Sequence, residues 1–498
     1  MSLWYNVPFF SILLVIVSAL LVPLLRNGAE ALRLVRGIQL VAAGASAYLL
    51  WVLSQVGESF TFQMGHFPAP WGNELRAGPL EALLALTFSL VMLLSLTGGA
   101  RELKQALRSD QLKWYCLLMQ LLFGALLAMV YTDDLFTAYV FVEIGAVTAC
   151  IAVAARESGR AIVSAIRYLI FSCLGSGLIL LGISILYSLT GQLLFAGLEQ
   201  AVTELVEAGG YTIPLVVSAL LMTLGLSIKS AQFPFHAWLP DAHASTFTAS
   251  SAILSGLVLK GYLVIILKLT LRVFGQTLLI SVCMDDLLLL LGLAGMLYAS
   301  VAALRQEEVK QMIAYSSSAQ ISYIFLAMGL GSPEGLVAAC YQIIAHAMTK
   351  SMIFLGAGEM IQASGGHYWG ELRGAARLAP LGGLAFTIGG LSLCGLPLLA
   401  GFSAKYCIAA AALDAQWQTF PALFGLAASS VLNAMYYIPA ILAIWGRKRV
   451  TEEQPLVWDW SDWAGKGALV VLLAGNLLLG TAFGPIRELI RQGISLFG

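Results

Sequence analysis

The amino-acid sequence predicts an all-α integral membrane protein with about fourteen transmembrane helices. Of its 498 residues, 59% are hydrophobic and only 11% are charged, whereas about a quarter of the residues of a soluble domain carry a charge. Mean hydropathy is +0.86, and apolar runs of about 20 residues, long enough to cross a bilayer as a helix, recur along the chain. The net charge of +0 gives no electrostatic basis for binding nucleic acid.

The transmembrane spans follow from these apolar runs. They are predicted to begin near residues 8, 36, 79, 112, 133, 162, 213, 243, 279, 309, 335, 380, 418 and 465. The first run, from Pro8 to Leu25, lacks a basic segment and a cleavage motif, so we expect a first span rather than a signal peptide. Residues 190–210 carry three glutamates and no basic residue, which predicts a short helix on the outer surface. We expect no long lateral helix after the fourteenth span.

The basic residues predict the orientation of the spans. Loops on one side hold most of them, among them Arg101, Arg156, Arg305, Arg447, Lys448 and Arg449. The opposite loops and the chain ends hold only Arg76, Lys268, Arg272, Arg487 and Arg491. Because basic loops stay on the cytoplasmic side, this asymmetry predicts that both termini are non-cytoplasmic.

Charged residues inside the spans are the strongest functional signal. Five of them lie in apolar stretches: Glu143, Lys229, Lys260, Lys350 and Lys405. A charge at the centre of a membrane helix costs about 3 kcal/mol on insertion scales. A chain tolerates such residues where they face water or one another, which indicates an ion or proton pathway. A structural spacer with inert lysines is an alternative, but the insertion cost argues against it.

Two predicted spans are interrupted by proline beside one of these lysines. Pro234 and Pro240 follow Lys229, and Pro397 precedes Lys405. Proline removes a backbone donor and frees a carbonyl, which predicts a broken helix at each place. Paired broken helices favour an inverted-repeat transporter with a site near the membrane midplane, whereas kinks that only improve packing are the alternative interpretation.

Several motifs occur in a fixed order along the chain. They are Phe-Val-Glu-Ile at 141–144, the two lysine-bearing breaks, the segment 305–323, the pair His346 and Lys350, and Ser-Ser-Val-Leu-Asn-Ala-Met-Tyr-Tyr at 429–437. With this ordered set the chain resembles the antiporter-like subunits of respiratory complex I, the Mrp-type cation/proton antiporters and the membrane-bound hydrogenases. The resemblance extends from about Trp114 to Tyr437. The lysine in the eighth span and the stretch 429–437 are most similar to the Mrp and hydrogenase branches.

The resemblance implies an organisation in four parts. Spans 1–3 occupy residues 1–111, a first inverted repeat of spans 4–8 occupies 112–275, and a second repeat of spans 9–13 occupies 276–445. A cytoplasmic loop and span 14 complete the chain in residues 446–498. Each repeat is expected to contain one broken helix, and a water-lined axis through both is expected to pass protons.

The same resemblance implies which residues form that axis. In order they are Glu143, Lys229, Lys260, His346, Lys350 and Lys405. Glu143 is expected to partner Lys229 at the first break, because a nearby carboxylate favours the charged form of a buried lysine. An imidazole exchanges protons near neutral pH, so His346 suits a relay between lysines.

Other candidates have more than one interpretation. His236 and His243, at the first break, fit capping or packing as well as proton transfer. Lys310 matches a motif of the family but is expected in a loop, where it would only set topology. Lys268 and Arg272 are expected to extend to the membrane surface from the end of the eighth span. The segment after His243 lacks the prolines that most family members carry, which leaves the local helix geometry open.

The predicted function is that of a proton-translocating, antiporter-like subunit of a multisubunit complex, either redox-driven or of the Mrp type. Expected partners are other membrane subunits, including further antiporter-like subunits and a peripheral redox arm, with H⁺ as the transported ion and Na⁺ as an open alternative. The expected location is a prokaryotic inner membrane. The sequence shows no flavin, quinone, iron–sulfur or metal-binding motif, so we predict no cofactor and no catalytic residue. An autonomous secondary transporter for a small solute is the alternative.

Overall fold

The computed structural model describes residues 3–67, 72–275, 278, 282–446 and 461–497. Within them the chain is mostly helical, with one antiparallel hairpin of β1 (Phe60–Gln63) and β2 (Glu74–Ala77). The prediction of an all-α membrane protein with about fourteen spans is confirmed. Arg447, Lys448 and Arg449, on which the topology prediction partly depends, lie outside the described residues.

The N-terminal part contains three spans. Its helices are α1 (Val7–Leu21), α2 (Gly28–Val56), α3 (Pro79–Gly98) and the short α4 (Ala100–Ala106). Helix α2 begins at Gly28 rather than near residue 36, because Asn27 caps it and accepts a 2.9 Å hydrogen bond from the Glu30 N–H. The charged first turn of α2 carries no hydropathy signal, so the apolar pattern begins later than the helix.

The fourth to eighth spans include the first broken helix. The elements are α5 (Ser109–Tyr131), α6 (Leu135–Ala154), α7 (Gly159–Thr190), α8 (Phe195–Glu207), α9 (Thr212–Lys229), α10 (Trp238–Ser245), α11 (Thr248–Ile253) and α12 (Leu259–Leu269). Two π-helical turns, Leu254–Val258 and Thr270–Phe274, make 248–274 one continuous span. Helix α8 confirms the short helix expected in 190–210, while its side of the membrane stays a prediction.

The second half contains the second broken helix. Its elements are α13 (Met284–Leu304), α14 (Val309–Met328), α15 (Pro333–Ser364), α16 (Ala375–Leu378), α17 (Pro380–Cys394), α18 (Ala400–Leu413), α19 (Thr419–Trp445), α20 (Trp463–Thr481) and α21 (Phe483–Ser495). In the described parts of the chain, twelve helices are long and apolar enough to cross a membrane. The more polar α14 and the interrupted pair α17–α18 bring the spans to the expected number. The division into two inverted repeats stays a prediction.

Two spans are surrounded by the rest of the bundle along most of their length. The most apolar stretches of the span 248–274 and of α15 are buried along their whole length. Helix α15 packs against α3, α14, α17, α18 and α20. Charged side chains on these two spans are therefore held among protein groups rather than lipid.

Glycines allow α7 and α9 to approach closely beside Lys229. A Cβ atom added at Gly225 would lie 2.5 Å from the carbonyl oxygen of Gly175, and one added at Gly175 would lie 3.1 Å from Cγ of Lys229. Small residues are what permit such helix contacts in membranes. The crossing of α7 and α9 thus fixes the position of Lys229.

Replacement of Gly225 by valine is expected to force α7 and α9 apart. Overpacking of this kind costs about 1–3 kcal/mol, and thermal unfolding of the purified protein in detergent would measure it. Gly177→Val on α7 is the matched control, because a Cβ atom there meets nothing within 4 Å. Equal stability of the two variants would contradict the role given to the crossing.

Candidate functional site

The first break brings Lys229 and Glu143 together. Helix α9 ends at Lys229, and its Nζ lies 3.0 Å from Glu143 Oε1 on α6 and donates a 2.9 Å hydrogen bond to Ser172 Oγ on α7. Glu143 also accepts a 2.5 Å hydrogen bond from Ser176 Oγ. The Lys229 side chain is fully buried, whereas 31% of the Glu143 side chain is exposed. The ammonium is thus enclosed, and its carboxylate partner reaches the surface of the chain.

Aromatic residues lie between Lys229 and the eighth span. Lys229 Nζ lies 5.9 Å from the centre of the Tyr262 ring. The Tyr262 hydroxyl is 3.5 Å from that of Tyr168, and the Tyr168 ring stacks on Trp238 at 4.2 Å. Trp238 is the first residue of α10, so the second piece of the broken span helps to position this contact.

Lys260 lies at the centre of the bundle. It lies two residues after the end of the π-helical turn Leu254–Val258, is fully buried, and donates a hydrogen bond to the Ser255 carbonyl. Ser255 Oγ in turn is 2.8 Å from Ser317 Oγ on α14. The eighth span lacks the prolines that most family members carry after the position of His243. It contains a π-helical turn instead, which places a main-chain acceptor beside Lys260.

His346 and Lys350 lie one turn apart on α15, both buried. Lys350 Nζ donates to the Ile313 carbonyl at 2.9 Å and to Ser316 Oγ at 2.8 Å. It also lies 3.4 Å from the Tyr437 hydroxyl. Among the residues that the structure describes, neither ring nitrogen of His346 has a hydrogen-bond partner. A buried imidazole without partners needs water to satisfy it.

The second break holds Lys405. Helix α17 ends at Cys394, and Gly395 has a φ of 96°, which lets the chain turn away. Lys405 Nζ on α18 donates to the Leu393 carbonyl at 2.7 Å and to Ser430 Oγ at 2.8 Å. The carbonyls freed at the end of a helix carry partial negative charge. The break therefore creates the acceptors that keep this lysine in the membrane.

Comparison with known proteins identifies the family. The family described as NADH:quinone oxidoreductase/Mrp antiporter, transmembrane, matches residues 132–431. The chain belongs to this antiporter family. All six axis residues lie within the matched range, as do the two breaks.

Individual relatives agree with this assignment. The chain is 32% identical to an NADH-quinone oxidoreductase subunit of Desulforudis audaxviator over 82% of this chain and 79% of the relative. It is 25% identical to an Na⁺/H⁺ antiporter subunit of Bacillus subtilis over 78% and 77%. Among solved structures, an archaeal membrane-bound sulfane sulfur reductase complex contains a chain with a TM-score of 0.86 and 26% identity, with 99% and 98% of the two chains covered. The expected resemblance is confirmed.

Sequence reasoning overlooked a pair of polar residues on α19 in this antiporter-family chain, one beside Lys350 and one beside the acceptor of Lys405. Tyr437 is 2.9 Å from Ser316, one of the groups that bind Lys350. Asn433, one turn earlier on α19, donates to the same Leu393 carbonyl that accepts from Lys405, at 3.2 Å. Polar residues one turn apart in an apolar helix could have revealed it. The stretch 429–437 contains no charged residue, so it indicated the family without indicating a site.

The two histidines near the first break of this antiporter-family chain, His236 and His243, have distinct surroundings. His236 lies between aromatic rings, 5.0 Å from Tyr298 and 5.9 Å from Tyr315. His243 is fully buried and stacks on Phe354 at 4.6 Å. Within the described part of the chain, neither His243 nitrogen has a hydrogen-bond partner. A role in proton transfer for either histidine stays a prediction.

The expectation that Lys310 lies in a loop is wrong. Helix α14 begins at Val309, so Lys310 lies in its first turn, with 2% of the residue exposed. Its Nζ donates a 2.8 Å hydrogen bond to the Thr246 carbonyl. Thr246 separates α10 from α11 and therefore offers a carbonyl outside both helices, which explains how a lysine is satisfied inside the bundle of this antiporter-family chain.

The expectation that Lys268 and Arg272 extend to the membrane surface is also wrong. They are 1% and 2% exposed. Arg272 Nη1 is 2.5 Å from Asp133 Oδ1. Lys268 Nζ donates to the carbonyls of Val130 and Thr132 at 2.6 Å and 2.7 Å. The β1–β2 hairpin, α8 and α21 cover this end of the antiporter-family fold, which hydropathy alone does not reveal.

Proposed function

We propose that this chain translocates protons through the line Glu143, Lys229, Lys260, His346, Lys350 and Lys405. The observation that carries the proposal is a series of Glu, Lys and His side chains, most of them buried, that lie among hydroxyls and carbonyls at both broken spans and between them. Tyr262 and Tyr168 lie on the Lys229 side of the centre, and Tyr437 lies on the other side. Such a line offers proton donors and acceptors through a region that would otherwise exclude ions.

The Lys229–Glu143 pair supplies the step that can be modulated. A buried ammonium is favoured while a carboxylate lies beside it and disfavoured once the carboxylate moves away. Glu143 lies on the partly exposed side of the pair. Movement of Glu143 would therefore make Lys229 release its proton towards the hydroxyls of the eighth span.

The central residues supply the relay. Lys260 and Lys350 each keep main-chain carbonyl partners, so a neutral amine can still donate hydrogen bonds there. His346 lies one turn from Lys350, and its ring nitrogens, which have no partner among the described residues, can bind water. Protons can pass between the two lysines over such water, and then over Tyr437 towards Lys405.

The chain is proposed to act within a multisubunit membrane complex. The relatives named above are subunits of an oxidoreductase and of an Na⁺/H⁺ antiporter, and the solved relative is part of a respiratory membrane complex. The proposed partners are further antiporter-like subunits. Either a peripheral redox arm or a cation gradient would drive transport. The bacterial relatives support a prokaryotic inner membrane, and the distribution of basic loops supports an orientation with both termini outside the cytoplasm.

Glu143→Gln tests the modulated pair. The amide keeps the size of the side chain but removes its charge, so we expect proton transport to fall about 10²-fold, the lower end of the range for loss of one proton-transfer group. Transport would be followed with a pH-sensitive dye in sealed vesicles that contain the native complex. Lys113→Ala is the control, because its partner Asp110 is 84% exposed and the pair lies off the axis.

Copurification provides the second part of the test. A subunit should purify with other membrane proteins, whereas an autonomous transporter should be active alone. Wild-type transport by Glu143→Gln, or full transport by the isolated chain, would contradict the proposed function.

A further inference from the structure

A second group of buried charges lies away from the proton axis. It comprises Glu81 on α3, Asp133 between α5 and α6, and Lys268 and Arg272 on the eighth span, each at most 3% exposed. The aromatic ring of Phe195 on α8 lies over both cations, 6.0 Å from Lys268 Nζ and 5.4 Å from the Arg272 guanidinium. We call these four charged residues the end cluster, because they lie where α3 begins and α5 ends.

Two members of the end cluster form a fixed ion pair. Arg272 Nη1 and Asp133 Oδ1 are 2.5 Å apart. A guanidinium does not lose its proton in proteins, so this pair cannot exchange one. The proton chemistry of the end cluster therefore belongs to Glu81 and Lys268.

The two carboxylate oxygens of Glu81 differ in their hydrogen bonding. Its Oε2 accepts a 3.0 Å hydrogen bond from the Gly78 N–H at the start of α3. Within the described residues, Oε1 is buried and has no hydrogen-bond partner. Native proteins rarely leave a buried carboxylate oxygen without a donor, so this atom requires a bound proton or a water molecule.

Lys268 can lose a proton without losing a hydrogen bond. Its Nζ donates to two carbonyls, those of Val130 and Thr132. An ammonium has three N–H donors and a neutral amine has two. The two carbonyl acceptors are satisfied in either state, and the third proton is free to leave.

Charged and other titratable side chains surround Glu81 and Lys268. Around Glu81 and Lys268 lie Arg76, Tyr131, Asp133, Arg272 and Cys340. Arg76, which donates to the Leu496 carbonyl, adds a further cation to the surroundings of the Arg272–Asp133 pair.

We propose that Glu81 and Lys268 form a proton-exchange site that connects Lys260 with the membrane face at which α3 begins. The transfer breaks one N–H bond of the Lys268 ammonium and forms one O–H bond at Glu81 Oε1, over a bridging water. A neutral amine and a carboxylic acid result. Lys260 and Lys268 lie on the same helix, about 12 Å apart along its axis at 1.5 Å per residue. The inference rests on the proposed function, since it supplies the axis with an opening to one side.

Glu81→Gln tests the site in sealed vesicles that contain the native complex. We expect proton transport to fall at least tenfold while the complex still assembles. Glu81→Asp should keep transport but shift its pH profile, because the carboxylate moves by one methylene. Glu488→Gln is the matched control, since Glu488 is 70% exposed on α21 and outside the end cluster, and we expect wild-type transport.

Infrared difference spectra distinguish a carboxyl group that exchanges a proton from one with only a structural role. A carboxylic-acid C=O band that titrates with pH is expected in the wild type and in Glu488→Gln, and it should be absent in Glu81→Gln. Absence of the band in the wild type, or wild-type transport by Glu81→Gln, would overturn the site. If Glu81→Gln fails to assemble, an unchanged pH profile in Glu81→Asp would overturn it instead.

The outcome separates the two proposals. Loss of transport in Lys350→Ala with full transport in Glu81→Gln would remove the exchange site and leave the axis intact. Full transport in both variants would remove the proposed function itself.

Discussion

Replacement of Lys350 by alanine is expected to stop proton transport almost completely. Lys350 lies between Lys260 and Lys405 in the line, one turn from His346, and is fully buried. Its Nζ binds the Ile313 carbonyl and Ser316, and Ser316 contacts Tyr437 on the way to Lys405. Loss of a positioned proton-transfer group lowers rates by about 10²–10⁴-fold, and no neighbouring amine can replace this one. Initial rates of proton uptake by vesicles that contain the native complex measure the effect.

Lys350→Arg shows whether the charge or the proton matters. Arginine keeps the positive charge but does not release its proton in proteins. If Lys350 passes protons, the arginine variant should be as inactive as the alanine variant. Wild-type transport by Lys350→Arg would instead make the ammonium a fixed charge and remove it from the relay. Lys113→Ala, which removes a lysine outside the axis, should keep the wild-type rate.

The charges of the axis could be predicted from sequence because each lies deep in an apolar run. Lys229 and Lys260 stand out against their neighbours, and insertion cost makes such residues improbable without a function. The structure places Glu143 beside Lys229, as the family motif implies. Prolines at 234 and 397 likewise indicated the two breaks, since each removes a helix donor within a span.

The end cluster could not be predicted in the same way. Lys268 and Arg272 lie near a span end, where long side chains usually extend to water. The hairpin, α8 and α21 close over that end, and their arrangement depends on contacts between distant segments, such as Arg76 with the Leu496 carbonyl. Hydropathy describes one segment at a time. It therefore cannot show that a span end is covered by others.

Uncharged polar residues were overlooked for another reason. Asn433 and Tyr437 carry no insertion penalty large enough to mark them, since Ser, Asn and Tyr also serve ordinary helix packing. Their importance follows from the atoms they share with the lysines: Asn433 and Lys405 bind the same carbonyl. Only the packing of α17, α18 and α19 brings those atoms together.

Asp133→Ala is expected to destabilise the protein by about 3–5 kcal/mol, the usual cost of leaving one buried charge without its partner. The Arg272 guanidinium is 2% exposed and lies 2.5 Å from Asp133, so water cannot replace the lost carboxylate. Thermal unfolding of the purified complex in detergent measures the change. Asp110→Ala is the control: its pair with Lys113 is at the surface, and such pairs contribute about 0–1 kcal/mol.

The double variant Asp133→Leu with Arg272→Met distinguishes pairing from packing. Replacing a buried ion pair by apolar residues of similar size is often neutral or stabilising, so the double variant should be more stable than Asp133→Ala. Its proton transport is informative as well. Lys268 keeps its two carbonyls when the ion pair is removed, so recovered stability with retained transport would assign Asp133 and Arg272 a structural role and leave proton exchange to Glu81 and Lys268. A double variant as unstable as the single one would instead show that the ion pair itself holds the end of the fold closed.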